Sequence, residues 1–243
     1  MTRVRQLLPE PAEDLTDDDL VRIYAVPPGE HLRVNFVSSA DGAVTLDGAS
    51  GGLGGPGDQR VFQLLRDLAD VILVAAGTVR NEGYGYPRFS AERLARRQAT
   101  GRGEWPTFAI VTRSLDLDLN SSLFADPPVR PVVVTGPDSP ADRRAELERC
   151  AEVMVVDDLA SGVGRLHRRG PILCEGGPNL LASLVGAGLI DELCLTLSPI
   201  LAGPGPGRIE SGPLHPAVHL ALAGLLEEDG ALFTRYAVAR QAE

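Results

Sequence analysis

Short apolar blocks alternate with polar, amphipathic stretches along most of the chain. The blocks that read as strands are LRVNFVSS (32–39), DVILVAA (70–76), TFAIVT (107–112), PVVVT (131–135), EVMVVD (152–157), PILCE (171–175) and ELCLTLSP (192–199), with a terminal pair near 220–226 and 231–238. Helical periodicity marks PGDQRVFQLLRDLA (56–69), AERLARRQA (91–99), PADRRAELERC (140–150), LASGVGRLHRR (159–169) and PNLLASLVGAG (178–188) between them. This alternation predicts an α/β fold with a mostly parallel central sheet flanked by helices. The tight EEDG (227–230) predicts that the last strands close as an antiparallel hairpin. No internal repeat interrupts the pattern, and the Gly/Pro-rich AGPGPGRIESGP (202–213) reads as a loop between late strands, so one domain is expected.

Composition removes several classes of function. The 243 residues, 44% hydrophobic, can fill a real core. No apolar run reaches the roughly 18 to 20 residues that span a bilayer, and the N-terminus lacks a signal-type stretch, so a cytoplasmic protein with no membrane partner is expected. A net charge of −10 argues against nucleic acid as a partner. All 23 cations are arginine; without lysine there can be no Walker P-loop, Schiff-base lysine or lysine general base. Cys150, Cys174 and Cys194 are odd in number and widely spaced, the last two in apolar runs, and read as buried free thiols. His31, His167, His215 and His219 form no metal-binding pattern; the His215/His219 pair reads as solvated loop, and no metal is expected.

Three glycine-rich turns remain as candidate chemistry. GGLGGPG (51–57) contains a formal GxGxxG but does not follow a buried strand directly, so it reads as a loop near substrate, with Pro56 opening a helix. AAGTVRNEGYGYPR (75–88) leaves a strand at its C-terminal end, where α/β sheets bind ligands. There Thr78 offers a cap, a hydroxyl and an amide, and Arg80 a cation one turn on. In CEGGPNLL (174–181) a strand delivers Glu175, then two residues without side chains, then a helix N-terminus suited to a pyrophosphate. A carboxylate there is costly without a hydrogen-bonding role.

NFVSSADGAVT (35–45), QLLRDLADVILVAAGTVRNE (63–82), IVTRSLDL (110–117) and CEGGPNLLASLVGAGLIDELCLTLSPILAG (174–203), in this order and spacing, resemble the reductase domain of riboflavin biosynthesis. That domain has the dihydrofolate reductase fold and forms the C-terminal half of bifunctional deaminase-reductases. The resemblance implies a reductase domain over 30–240 after an N-terminal extension, 1–29. It also implies a homodimer paired through late strands, since DELCLTLSP and the terminal hairpin are more apolar than a sheet edge should expose. The deaminase signature is absent.

The resemblance further implies NADPH held by Thr78, Glu82, Arg113, Ser114, Gly176, Gly177, Asn179 and Leu180, with Arg113 on the 2′-phosphate. It puts Ser39, Asp41, Arg66 and Glu175 on a phosphorylated pyrimidine substrate, and makes Glu175, Glu82 and Asp41 the candidate catalytic groups. The implied reaction is hydride transfer to C1′ of a ribosylamino-pyrimidine phosphate. Two features depart from the family: NEGYGYP (81–87) replaces an acid-acid-proline run, and a lysine common on the first strand is missing from RVNFVSS. Alternatives stay open. The substrate could be a pterin or folate, the site of a non-catalytic nucleotide-binding homologue could have decayed, and Arg66 could be a solvated arginine or a structural partner of Asp67 or Asp70.

Overall fold

The structure, a computed structural model, describes residues 3–26, 29–86, 89–204, 207–209 and 217–239; His215 and Pro87 lie outside the described residues. The strands are β1 (Arg5–Leu8), β2 (Leu32–Ser39), β3 (Val71–Ala75), β4 (Thr107–Val111), β5 (Val132–Thr135), β6 (Glu152–Val155), β7 (Ile172–Cys174), β8 (Glu192–Ser198), β9 (Leu220–Glu228) and β10 (Ala231–Val238). The helices are α1 (Asp17–Ile23), α2 (Pro56–Asp67), α3 (Ala76–Asn81), α4 (Ala91–Ala99), α5 (Ala141–Leu147), α6 (Leu159–His167) and α7 (Pro178–Gly186). One sheet runs β1-β9-β10-β8-β2-β7-β3-β4-β5-β6. Every pairing from β8 to β6 is parallel, and β8-β10, β10-β9 and β9-β1 are antiparallel. The α/β class and the closing hairpin are as expected; Asp229 and Gly230, both at positive φ (50° and 83°), make its turn.

Three elements escape the apolar pattern. β1 is a four-residue edge strand added to β9. α1 is short, yet Thr16 and Asp19 spell its capping box, with the Thr16 hydroxyl accepting from the Asp19 N–H. Residues 3–26 thus contribute a strand and a helix to the same sheet and core. The third, α3, follows β3 without a loop, and its N-cap is Ala75; Thr78 stands inside the helix and does not cap it.

One face of the sheet packs against α6 and α7 around Val34, Leu73, Leu166 and Leu184. The other packs against α1 and α2 around Leu65 and Phe233, and further along around Ile72, Phe108 and Leu147. The expected exposed edge at DELCLTLSP is corrected: β8 is interior, between β10 and β2. Its polar residues Glu192, Cys194, Thr196 and Ser198 are the buried set; Leu193, Leu195 and Leu197 are half-buried on the opposite face, with Leu193 packed against the α6/α7 cluster. The β6 edge is guarded by α6, where Arg165 donates to the Val155 carbonyl (3.3 Å) and Arg169 pairs with Glu152 (2.5 Å). Cys174 and Cys194 are buried free thiols, and Cys150 is half-buried.

Candidate active site

The C-terminal ends of the parallel strands gather the expected residues. Ser39 ends β2, Thr78 lies in the helix after β3, Arg113 and Ser114 follow β4, and Glu175, Gly176 and Gly177 follow β7. The Glu175 N–H donates to the Leu73 carbonyl (3.0 Å) and the Ala75 N–H to the Gly176 carbonyl (2.9 Å), so the β7 exit is pinned to β3. Gly176 has φ +109°, which favours glycine, and a Cβ on Gly177 would press on the Thr78 Oγ1 at 3.0 Å. Thr78 accepts from the Gly177 N–H (3.0 Å) and holds the loop. The N–H groups of Asn179 and Leu180 precede the first intrahelical bond of α7, from Leu181 to the Gly177 carbonyl (3.0 Å), and carry its positive dipole end.

Glu175 meets Arg66 directly. Nε and Nη2 of Arg66 donate to the two carboxylate oxygens at 2.6 Å each, with the Glu175 side chain 1% exposed. Burial pulls the Arg66 guanidinium down, but the Glu175 charge and hydrogen bonds outweigh it and leave Arg66 raised. Its faces lie over Phe62 (4.4 Å) and Tyr84 (5.5 Å). Burial, then the Glu175 charge, push the Tyr84 hydroxyl well above its ordinary value, so it stays protonated. Tyr84 comes from the NEGYGYP departure and was not singled out by sequence; an aromatic in a loop carries no local signal.

The structural alternative for Arg66, a pair with Asp67 or Asp70, does not form. Asp67 takes Arg93 (2.6 Å) and Arg96 (2.9 Å), and Asp70 lies 3.8 Å from Arg97 and Arg102. Arg97, fully buried, donates to the carbonyls of Arg66, Asp67 and Ala69 and so closes the C-terminal end of α2. In this way α4 fixes the helix end that aims Arg66.

Asp41 is a latch. It accepts from the Ser39 hydroxyl and from the N–H groups of Ala202 (3.1 Å) and Gly203 (2.8 Å), tying the late loop to the end of β2. The Ser39 hydroxyl first, and then these amides, hold its carboxyl down at about 2. Glu82 is exposed and accepts from the Ser50 N–H (3.2 Å) in the glycine-rich loop. That loop leads through Gly55 into Pro56 of α2, not into a dinucleotide turn. Arg80 donates to the Asp116 carbonyl (2.7 Å), while Arg113 and Ser114 are exposed; no salt bridge occupies Arg113 among the described residues.

This end of the sheet suits a nicotinamide dinucleotide: a side-chain-free cradle at Gly176–Gly177, a helix start, and an available guanidinium beyond β4. A model of the RibD C-terminal domain matches residues 30–230. The chain belongs to that family. It is 28% identical over 180 residues to the 2,5-diamino-6-ribosylamino-4(3H)-pyrimidinone 5′-phosphate reductase of Archaeoglobus fulgidus, covering 71% of this chain and 82% of the relative. The Methanothermobacter thermautotrophicus protein of the same name is 27% identical over 184 residues, covering 73% and 82%. Among solved structures, a pyrimidine reductase-like protein from Corynebacterium diphtheriae superposes with a TM-score of 0.80 at 29% identity, covering 93% of this chain and all of that one.

Proposed function

We propose that the chain is an NADPH-dependent reductase of a ribosylamino-pyrimidine 5′-phosphate in riboflavin biosynthesis, giving the ribitylamino product. The observation that carries this reading is the buried Glu175–Arg66 pair beside the Gly176–Gly177 cradle, an acid and a cation at one cofactor-sized loop. A bound nicotinamide would supply the hydride for C1′. The chain's part is to hold and orient. Gly176, Gly177, Asn179 and Leu180 receive the pyrophosphate, Thr78 keeps their loop in place, and Arg113 with Ser114 receives the adenosine phosphate. Arg66 engages the substrate phosphate and Glu175 the ribosylamine, with Ser39 beside the reacting carbon. Glu175 and Glu82 are the acids placed to handle a proton, whereas Asp41, held at about 2, orders the 202–203 loop.

In the same reading the protein works in the cytoplasm as a homodimer, without nucleic acid or membrane. Among the described residues no helix is long and apolar enough to cross a bilayer. The surface for a second copy is the outward face of the antiparallel strands, with Leu195, Leu197, Leu220 and Leu222. The test is NADPH oxidation with the ribosylamino-pyrimidine phosphate beside dihydrofolate. Turnover of the former alone is expected; turnover of dihydrofolate alone, or of neither, contradicts the reading.

A further inference from the structure

The loop after α3 departs from the family in NEGYGYP, and Tyr84 of that loop stands against the Glu175–Arg66 pair. Its ring is held in place. The Tyr84 N–H donates to the Val79 carbonyl (3.1 Å), Gly83 at φ +62° makes the turn before it, and the ring meets Phe108 edge to face, 6.4 Å between centroids. Tyr86 packs on the same Phe108 (4.9 Å) and donates its hydroxyl to the Val129 carbonyl, so the loop is fastened on both sides of Tyr84. The Arg66 guanidinium lies 5.5 Å from the Tyr84 ring centroid while giving two hydrogen bonds to Glu175. Packing of this kind needs only a phenylalanine. The hydroxyl is surplus to it.

Reduction consumes a proton as well as a hydride, and the other groups named for the site are poorly placed to give one. Both Glu175 oxygens accept from Arg66, and Arg66, raised by that carboxylate in spite of burial, keeps its protons. Asp41 is held at about 2, chiefly by the Ser39 hydroxyl, whose own proton is directed to it. Glu82 is exposed and accepts from the Ser50 N–H. Tyr84 brings a neutral O–H to the pair. Burial first, and then the Glu175 charge, keep it protonated, and the Arg66 charge works against them.

We propose that Tyr84 is a catalytic residue, the general acid that protonates the ribose ring oxygen O4′ as the ribosylamine opens. This rests on the reductase reading above. The C1′–O4′ bond breaks with its electron pair passing to O4′, which takes the Tyr84 proton, and the nitrogen lone pair forms a C1′–N double bond. Addition of the hydride to C1′ returns that pair to nitrogen. One hydride and one proton are consumed, and the half-buried Tyr84 recovers its proton from solvent when product leaves. Glu175 holds the nitrogen's N–H. As positive charge develops on that nitrogen it offsets the Glu175 charge, so Arg66 acts on Tyr84 unopposed and eases the proton's departure when O4′ requires it.

The experiment compares wild type with Tyr84→Phe, which keeps the ring against Phe108 and Arg66 and removes only the hydroxyl; the melting temperature checks folding. With NADPH and the ribosylamino-pyrimidine 5′-phosphate, kcat should fall about 10²-fold or more, while calorimetric affinities for both ligands hold within about twofold. Turnover of the variant should rise as pH is lowered from about 8 to about 6, hydronium replacing the phenol, where wild type is level. Tyr84→3-fluorotyrosine, which retains the hydroxyl, should restore kcat to within about threefold of wild type. A kcat of Tyr84→Phe near wild type, a loss carried by substrate affinity alone, a level profile in that variant, or a fluorotyrosine variant as slow as Tyr84→Phe overturns the role of Tyr84 and leaves the reductase reading in place. Wild type without turnover of this substrate overturns the reductase reading, and the role of Tyr84 with it.

Discussion

In β7 and β3 nearly every residue is buried beneath helices on both faces, whereas in β8 the polar residues are buried and the leucines half-exposed. The two halves of the sheet thus solve different problems. The parallel half is sealed, so its backbone can change direction abruptly only at the strand ends, and there Glu175, Gly176, Thr78 and Arg113 collect. The antiparallel half has helices α1 and α2 on one side only. Among its buried polar residues, Glu192 takes the Arg33 guanidinium (3.1 Å and 3.2 Å), and Thr196 takes Asp58. On its other face Leu220 and Leu222, at 43% and 45% exposure, lie outside the apolar clusters. In the proposed reading, ligand chemistry gathers at the strand ends of the first half and association uses the outward face of the second.

Substitutions should keep that division. The largest effect is expected at the β7 exit, where Glu175→Gln should lower turnover by about 10²-fold or more and leave NADPH affinity unchanged. Stability should also fall, because an amide cannot receive both Arg66 hydrogen bonds as a carboxylate does; breaking a buried pair costs up to about 3–5 kcal/mol. Turnover near wild type, measured well below the melting temperature, would remove Glu175 from the reaction. Next, Arg113→Ala should raise the NADPH dissociation constant about tenfold or more, the effect of a charge-assisted bond of about 1.5–3 kcal/mol, while NADH binding changes little. Equal weakening of both cofactors would mean that Arg113 does not meet the 2′-phosphate.

In the antiparallel half, Leu195→Glu with Leu222→Glu should halve the mass seen by light scattering at micromolar concentration and spare NADPH affinity. A wild-type mass near 25.7 kDa would leave the leucine face without its proposed cover. The smallest effect is expected for Asp41. Its folded-state carboxyl lies at about 2, below an unfolded value of about 3.9, so its contribution to stability is complete above the higher value and is lost as pH falls through the lower one. The turnover profile between about pH 5 and 8 should therefore carry no limb from Asp41. A limb that disappears in Asp41→Asn would contradict its role as a latch.

Much of this was legible along the chain. Strand-sized apolar runs fixed β2 through β10 within a few residues, because burial on both faces of the inner parallel strands, and on one face of β8 to β10, restricts the choice of residue. β1 and α1 were missed for opposite reasons: β1 is an edge strand of four residues, and α1 announces itself by a cap, not by periodicity. At the site, Glu175 and the glycines could be found because backbone geometry constrains them locally. The partner of Arg66 could not, since 109 residues separate it from Glu175 and both Asp67 and Asp70 are nearer in sequence. Asp58 was hidden in the same way, its partner Thr196 being 138 residues away on another strand. Pairings of this kind become visible only when α2 is laid across the sheet.

In the proposed reaction this end of the sheet directs a hydride from NADPH to C1′ of a ribosylamino-pyrimidine phosphate. Single turnover with NADPH deuterated at the transferred position of C4, followed by mass spectrometry and proton NMR of the product, tests it most directly. One deuterium is expected, located at C1′ of a ribityl chain. Deuterium at a ring carbon of the pyrimidine, or an unlabelled product, would contradict it.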